Sequence, residues 1–161
     1  MKIKGIVMED FSNYKLPSMF IIFPVCDWKC DRECGKRVCQ NGSLAKAPIK
    51  NVDVDVLIEK YLSNPISKAV VCGGLEPMDS WNDLQLFVEK FREKSNDDIA
   101  IYTGYYKEEI TNKINWLKNY DNIIVKFGRF VPYQKKHYDE VLGIYLASDN
   151  QYAERISKYD S

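Results

Sequence analysis

Four cysteines fall within one short stretch, FPVCDWKCDRECGKRVCQNGSL, at positions 26, 30, 34 and 39. Thiolates are soft ligands, and spacings this short let one loop wrap around a single centre, either zinc or an iron–sulfur cluster. If Cys26, Cys30, Cys34 and Cys39 all bound one ion, the site would be closed and structural, like a zinc ribbon. If only three of them held a four-iron cluster, one iron would stay open to a substrate. The spacing alone allows both. The fifth cysteine, Cys72, lies in an apolar run and reads as a small buried hydrophobe.

A second segment adds to this. Val70-Val71-Cys72-Gly73-Gly74-Leu75-Glu76-Pro77 reads as a strand running into a glycine pair, an acid and a proline. Paired glycines let a ligand come close to the backbone. A carboxylate beside them can accept from a bound ammonium group. A plain strand-to-helix turn with Glu76 at the helix start is the simpler reading of this segment alone; beside the cysteine loop, the ligand-holding reading is favoured over it. His137 is the only histidine; it reads as a surface residue, so no side chain is assigned as a catalytic acid or base.

These segments need elements to position them. Strands are expected at Ile3–Met8, Met19–Phe23, Ala69–Cys72, Ile99–Tyr102, Asn122–Val125 and Ile144–Ala147, which are β-branched or aromatic-rich and end in Gly, Pro or polar residues. Helices are expected at Asp53–Leu62, Ser80–Glu93 and Lys107–Tyr120, each with an apolar stripe of helical spacing. A last helix is expected from about Ser148–Asp149, both good N-caps, to about Lys158. The alternation predicts an α/β fold, a mainly parallel sheet of about six strands with flanking helices, open as a partial β/α barrel. In such sheets ligands gather at the carboxyl ends of the strands. The cysteine loop, Gly73-Gly74, Thr103-Gly104 and Ser148–Gln151 should all fall on that edge.

Composition bounds the rest. The chain has 161 residues, suited to one domain over 1–161. Its 23 basic and 23 acidic residues cancel, so neither nucleic acid nor a membrane surface is an expected partner. The longest apolar run, Met19 to Val25, is too short to span a bilayer. The N-terminus carries no secretory pattern, and a cytoplasmic protein is expected, where clustered cysteines bind metal rather than pair.

With these motifs in view, the chain resembles the radical S-adenosylmethionine superfamily, and within it the small activating proteins of anaerobic ribonucleotide reductase. The cysteine loop, GGLEP, YTGY at Tyr102–Tyr105, VKFGRF at Val125–Phe130 and IYLASDNQ at Ile144–Gln151 carry the resemblance. The superfamily pattern is CxxxCxxC. Cys26 and Cys30 fit it, but Glu33 stands where a third cysteine would follow. Cys39 is preferred as third ligand because Gln40-Asn41 repeats the family's x-Asn after that cysteine; Cys34 is the alternative. GGLEP also carries an extra Leu75.

The resemblance implies a [4Fe-4S] cluster on Cys26, Cys30 and Cys39. It implies S-adenosylmethionine held by Gly73, Gly74, Glu76, Thr103, Asn150 and Gln151. Reductive cleavage of that cofactor would serve to install a glycyl radical on an anaerobic ribonucleotide reductase, with a flavodoxin or ferredoxin as electron donor. The cations Lys29, Arg32, Lys36 and Arg37 could help such a partner dock. The alternatives are radical chemistry on another peptide or nucleotide, or a non-catalytic zinc or iron–sulfur module.

Overall fold

The computed structural model describes residues 1–26, 32 and 46–157, so the expected ligands Cys30 and Cys39, and the alternative Cys34, lie outside the described residues. In chain order the strands are β1 (Lys2–Ile3), β2 (Gly5–Asp10), β3 (Ser18–Phe23), β4 (Lys50–Asn51), β5 (Ala69–Gly74), β6 (Asp98–Tyr102), β7 (Ile123–Phe127), β8 (His137–Asp139), β9 (Ile144–Leu146) and β10 (Tyr152–Ile156). The described helices are α1 (Val54–Ser63), α2 (Trp81–Lys94) and α3 (Thr111–Leu117).

Six strands form the main sheet in the order β10-β7-β6-β5-β3-β2. Its centre, β3-β5-β6-β7, is parallel, and both edges are antiparallel. The central strands are apolar on both faces, as strands covered on both sides must be. On one face Met19, Ile21, Val70, Cys72, Ile99, Ile101, Ile123 and Val125 pack against the helices. On the other, Ala69, Val71, Ala100 and Ile124 meet Tyr14, Leu142, Leu146 and Ala153. The alternation has the period of two that a strand imposes.

Local chemistry places the helices. Asp53 caps α1, its carboxylate accepting from the Asp55 and Val56 amides, which satisfies donors that a helix start leaves open. α1 buries Val54, Leu57, Ile58 and Tyr61; α2 buries Leu84, Phe87, Val88 and Phe91. They meet where the Tyr61 ring sits edge-on to Phe91, centroids 5.1 Å apart. The Arg92 guanidinium near the end of α2 donates to the carbonyls of Ser95, Asp97 and Asp121, tying the helix to the starts of β6 and β7.

Four expectations need correcting. The sheet is mixed rather than mainly parallel, and among the described residues no barrel forms: β2 and β10 each pair with one neighbour only. The strand at Ile144–Leu146 is outside the main sheet, paired with β8 in a hairpin. The last helix is a strand. Ser148 and Asp149 start a tight turn instead, with the Gln151 amide donating to the Ser148 carbonyl at 3.1 Å. Tyr152–Ile156 then runs antiparallel to β7. Its apolar residues fit a helical or an extended spacing, and a waiting β7 edge decides between them. His137 is half-buried rather than on the surface, its Nε2 3.1 Å from the Ser148 carbonyl. Cys72 is fully buried as expected, and burial pushes its thiol pKa up. Among the described residues no helix is long and apolar enough to cross a membrane.

The start of β6 holds an ionic lock with a pH consequence. Arg155 on β10 forks onto Asp98, and the Tyr14 hydroxyl donates to the same carboxylate at 2.6 Å. Burial would raise the Asp98 pKa, but these hydrogen bonds outweigh it and hold the carboxyl below its usual range. A depressed carboxylate contributes stability above its unfolded pKa and loses it as pH falls through the folded one. Melting temperature followed down through the carboxylate range should therefore fall more steeply for the native chain than for Asp98→Asn. Parallel curves would remove Asp98 from the acid response.

Candidate functional site

At the carboxyl ends of β5, β6 and β7, on the face away from the helices, lies a cavity of about 300 Å³. Cys26, Gly74, Glu76, Thr103, Lys126 and Gln151 are among its lining. Of the expected cofactor residues, Gly74, Glu76, Thr103 and Gln151 thus share one cavity with the expected ligand Cys26. Gly73 and Asn150 stand outside the lining.

The β3–β5 ladder continues past both strands and brings Cys26 here. The Leu75 amide donates to the Phe23 carbonyl at 3.2 Å, and the Glu76 amide to the Val25 carbonyl at 2.7 Å. The cysteine segment and the GGLEP turn are therefore fastened together immediately before Cys26. Among the described residues no group of three or more His, Cys, Asp or Glu is placed to hold a metal ion.

The glycine pair has a structural reason of its own. Gly74 sits at φ +81°, and a Cβ there would lie 2.6 Å from Ile22 Cγ2. A Cβ on Gly73 would press on the Phe20 ring at 3.1 Å. The neighbouring strand, rather than ligand approach alone, demands glycine. Gly74→Ala should cost about 1–3 kcal/mol of stability through left-handed strain and crowding. Gly73→Ala should cost less, since a ring can shift. Urea denaturation giving equal midpoints for the two variants would contradict this ranking.

Glu76 is 3 % exposed. One carboxylate oxygen accepts from the Met78 amide at 3.2 Å, capping the short 3-10 turn Pro77–Ser80. The other accepts from the Gly104 amide at 2.8 Å, joining the end of β5 to the loop after β6. The simpler reading of Glu76 as a cap is correct, and the bond to Gly104 adds a second role across the cavity floor. Thr103, 1 % exposed, holds that loop: its amide donates to the Lys126 carbonyl, and its Oγ1 accepts from the Tyr105 amide.

Ser148–Gln151 reaches the same edge by another route than expected, at the start of antiparallel β10 beside the end of β7. Gln151 Oε1 accepts from the Ala147 and Ser148 amides, both at 3.1 Å, and so shapes its own turn. Asn150 Nδ2 donates to the Tyr106 hydroxyl and the Arg129 carbonyl. Its Oδ1 is buried without a hydrogen-bond partner. Arg129, in the VKFGRF segment, forks onto Glu109 with both bonds at 2.6 Å and stacks over Tyr106 at 4.9 Å.

Lys126 is a cavity residue that the sequence motifs do not single out. It is 8 % exposed, its ammonium donating to the carbonyls of Gly128 at 3.1 Å and Thr103 at 3.4 Å, beside the Tyr102 ring. A lysine inside the apolar strand IIVKF was the signal, because a buried ammonium must be held by oxygen partners. Tyr102 and Phe20 add aromatic walls; the Tyr102 hydroxyl donates to the Asn13 carbonyl, and burial raises its pKa.

Among the described residues the cavity gathers one thiol, a buried carboxylate, a buried ammonium and aromatic walls, a lining that can hold a polar, zwitterionic ligand. No curated protein and no solved structure matches the chain. A family model of the 4Fe-4S single cluster domain matches residues 18–152, from the first residue of β3 to the first of β10, and the chain belongs to that family.

Proposed function

We propose that the chain is a radical S-adenosylmethionine enzyme that installs a glycyl radical on an anaerobic ribonucleotide reductase. The observation that carries this reading is the meeting of Cys26, Gly74, Glu76, Thr103 and Gln151 in one cavity of a 4Fe-4S family chain. Cys26, Cys30 and Cys39 are the proposed cluster ligands. The donor set fits the cofactor: a carboxylate for the methionine ammonium, the Lys126 ammonium for its carboxylate, and the faces of Phe20 and Tyr102 for flat or apolar parts.

Held by Cys26, Cys30 and Cys39, the cluster would supply one electron, delivered by a flavodoxin or ferredoxin, for reductive cleavage of S-adenosylmethionine and removal of a hydrogen atom from a glycine Cα of the partner. The chain's own work is positioning and exclusion of water. Glu76 and Thr103 fix the two loops that bound the cavity, and Lys126 keeps a positive charge in its wall. A cavity of about 300 Å³ is at the small end for ligand sites. It suits one cofactor, with the substrate arriving at the mouth, as a protein loop does.

The test mixes reduced protein, S-adenosylmethionine and the anaerobic ribonucleotide reductase of the same genome under anaerobic conditions. A glycyl radical doublet on the reductase, by electron paramagnetic resonance, is the expected result. Abundant 5′-deoxyadenosine with no partner radical would assign another substrate.

A further inference from the structure

The mouth of the cavity is bounded by the β8–β9 hairpin, whose two faces differ. Its inner face is fastened down. Leu146 is buried in the second core cluster, and the Asp139 carboxylate accepts from the amides of Leu142 and Ala153. The Lys15 side chain lies against Gly143 at the turn. On the outer face Tyr138 and Tyr145 stand opposite each other, their rings edge to face with centroids 5.4 Å apart. They remain 54 % and 67 % exposed, and Tyr133 nearby in the chain is 94 % exposed. Tyr145 also lines the cavity, so one aromatic surface runs outward from the site.

Cross-strand stacking accounts for the tyrosine pair as a local contact. It does not account for an aromatic surface that begins at a cavity mouth and is held by buried hydrogen bonds. Rigid tyrosines presented this way contribute large contact area at small entropic cost, and they recur as anchors of protein interfaces. The exposed charges here are Lys135 and Lys136 just before β8, Lys15 at the turn, and the acids Glu140 and Asp149. Among the described residues these cations outnumber the acids by three to two.

We propose that Tyr138 and Tyr145, with Lys135 and Lys136, form the docking surface for the partner protein, receiving a segment that carries carboxylates beside apolar side chains. The inference rests on the reading of a protein substrate given above. Nucleic acid is the poorer occupant, because a chain with equal numbers of basic and acidic residues lacks the broad phosphate attraction that such binding needs.

The experiment compares Tyr138→Ala and the pair Lys135→Glu/Lys136→Glu with the native holoprotein. None of these residues lines the cavity. The readouts are 5′-deoxyadenosine formed without partner, affinity for the anaerobic reductase, and affinity for a single-stranded DNA oligonucleotide. Partner-free turnover should stay within about twofold of native. Affinity for the reductase should fall at least about tenfold in each variant, the size of an interface anchor. The lysine pair should also flatten its salt dependence. Native-like reductase affinity in both variants overturns the docking surface while leaving the activase reading standing. Failure of the native protein to radicalise the reductase overturns the activase reading itself. DNA bound more tightly than the reductase, and weakened by the same variants, overturns the protein occupant.

Discussion

Cys26→Ala is expected to yield a folded chain that has lost its cluster, with iron falling from about four per chain to near zero. Cys26 follows a ladder of backbone hydrogen bonds running past β3 and β5 to Val25. Its Cα is therefore set by two central strands whether or not metal is bound, and the fold should survive. Removing one of three thiolates from a four-iron cluster leaves an iron without its protein ligand, which no neighbour in the described cavity can replace: Glu76 is engaged by two amides, and Cys72 is buried in the opposite face of β5. Iron analysis and visible absorption after anaerobic reconstitution are the measurements. The same series tests the third ligand. Cys39→Ala should empty the site, and Cys34→Ala should retain most of the iron. If the effects of those two are reversed, Cys34 is the ligand and the Gln40-Asn41 argument is wrong. Retention of the full cluster by Cys26→Ala would remove this cysteine from the centre altogether.

The second large effect is at Glu76, whose removal should act on stability and on cofactor affinity in separable ways. Glu76→Ala strands two amides, those of Met78 and Gly104, that now donate to the carboxylate. Each buried unsatisfied donor costs about 1–3 kcal/mol, so the variant should be strongly destabilised. Glu76→Gln keeps the side chain's length and one carbonyl acceptor, and should fold and keep its iron. It loses the charge that complements a bound ammonium, a hydrogen bond of about 1.5–3 kcal/mol. S-adenosylmethionine affinity should then fall about tenfold to a hundredfold. Calorimetry on reconstituted Glu76→Gln separates the two roles. Unchanged affinity with lowered stability would make Glu76 a brace between two loops and nothing more.

Where sequence reading succeeded and failed follows the range of the interactions involved. β3, β5, β6 and β7 were legible because their apolar runs are short, β-branched and buried on both faces, and α1 because Asp53 and its apolar stripe are local signals. The end of the chain was not. Tyr152, Ala153 and Ile156 fit a helical turn or a strand, and only pairing with β7, far back in the sequence, chooses the strand. Together with the antiparallel β2 at the other edge, that choice makes the sheet mixed rather than mainly parallel. Gln151 still reaches the cavity at the carboxyl ends of the strands, because β10 begins where β7 ends. Gly74 was singled out for ligand approach, whereas its left-handed backbone against Ile22 is a constraint from the next strand. Lys126 was hidden because its partners, the carbonyls of Thr103 and Gly128, come from loops whose positions sequence alone does not give.

If the cluster of this 4Fe-4S family is used to cleave S-adenosylmethionine, as proposed, the protein will do so without any partner. Anaerobically reconstituted protein is reduced, mixed with S-adenosylmethionine, and analysed for metal content and for cleavage products. About four irons per chain are expected, together with 5′-deoxyadenosine and methionine in equal amounts. A single zinc held by Cys26, Cys30, Cys34 and Cys39, with S-adenosylmethionine left intact, would contradict the proposal.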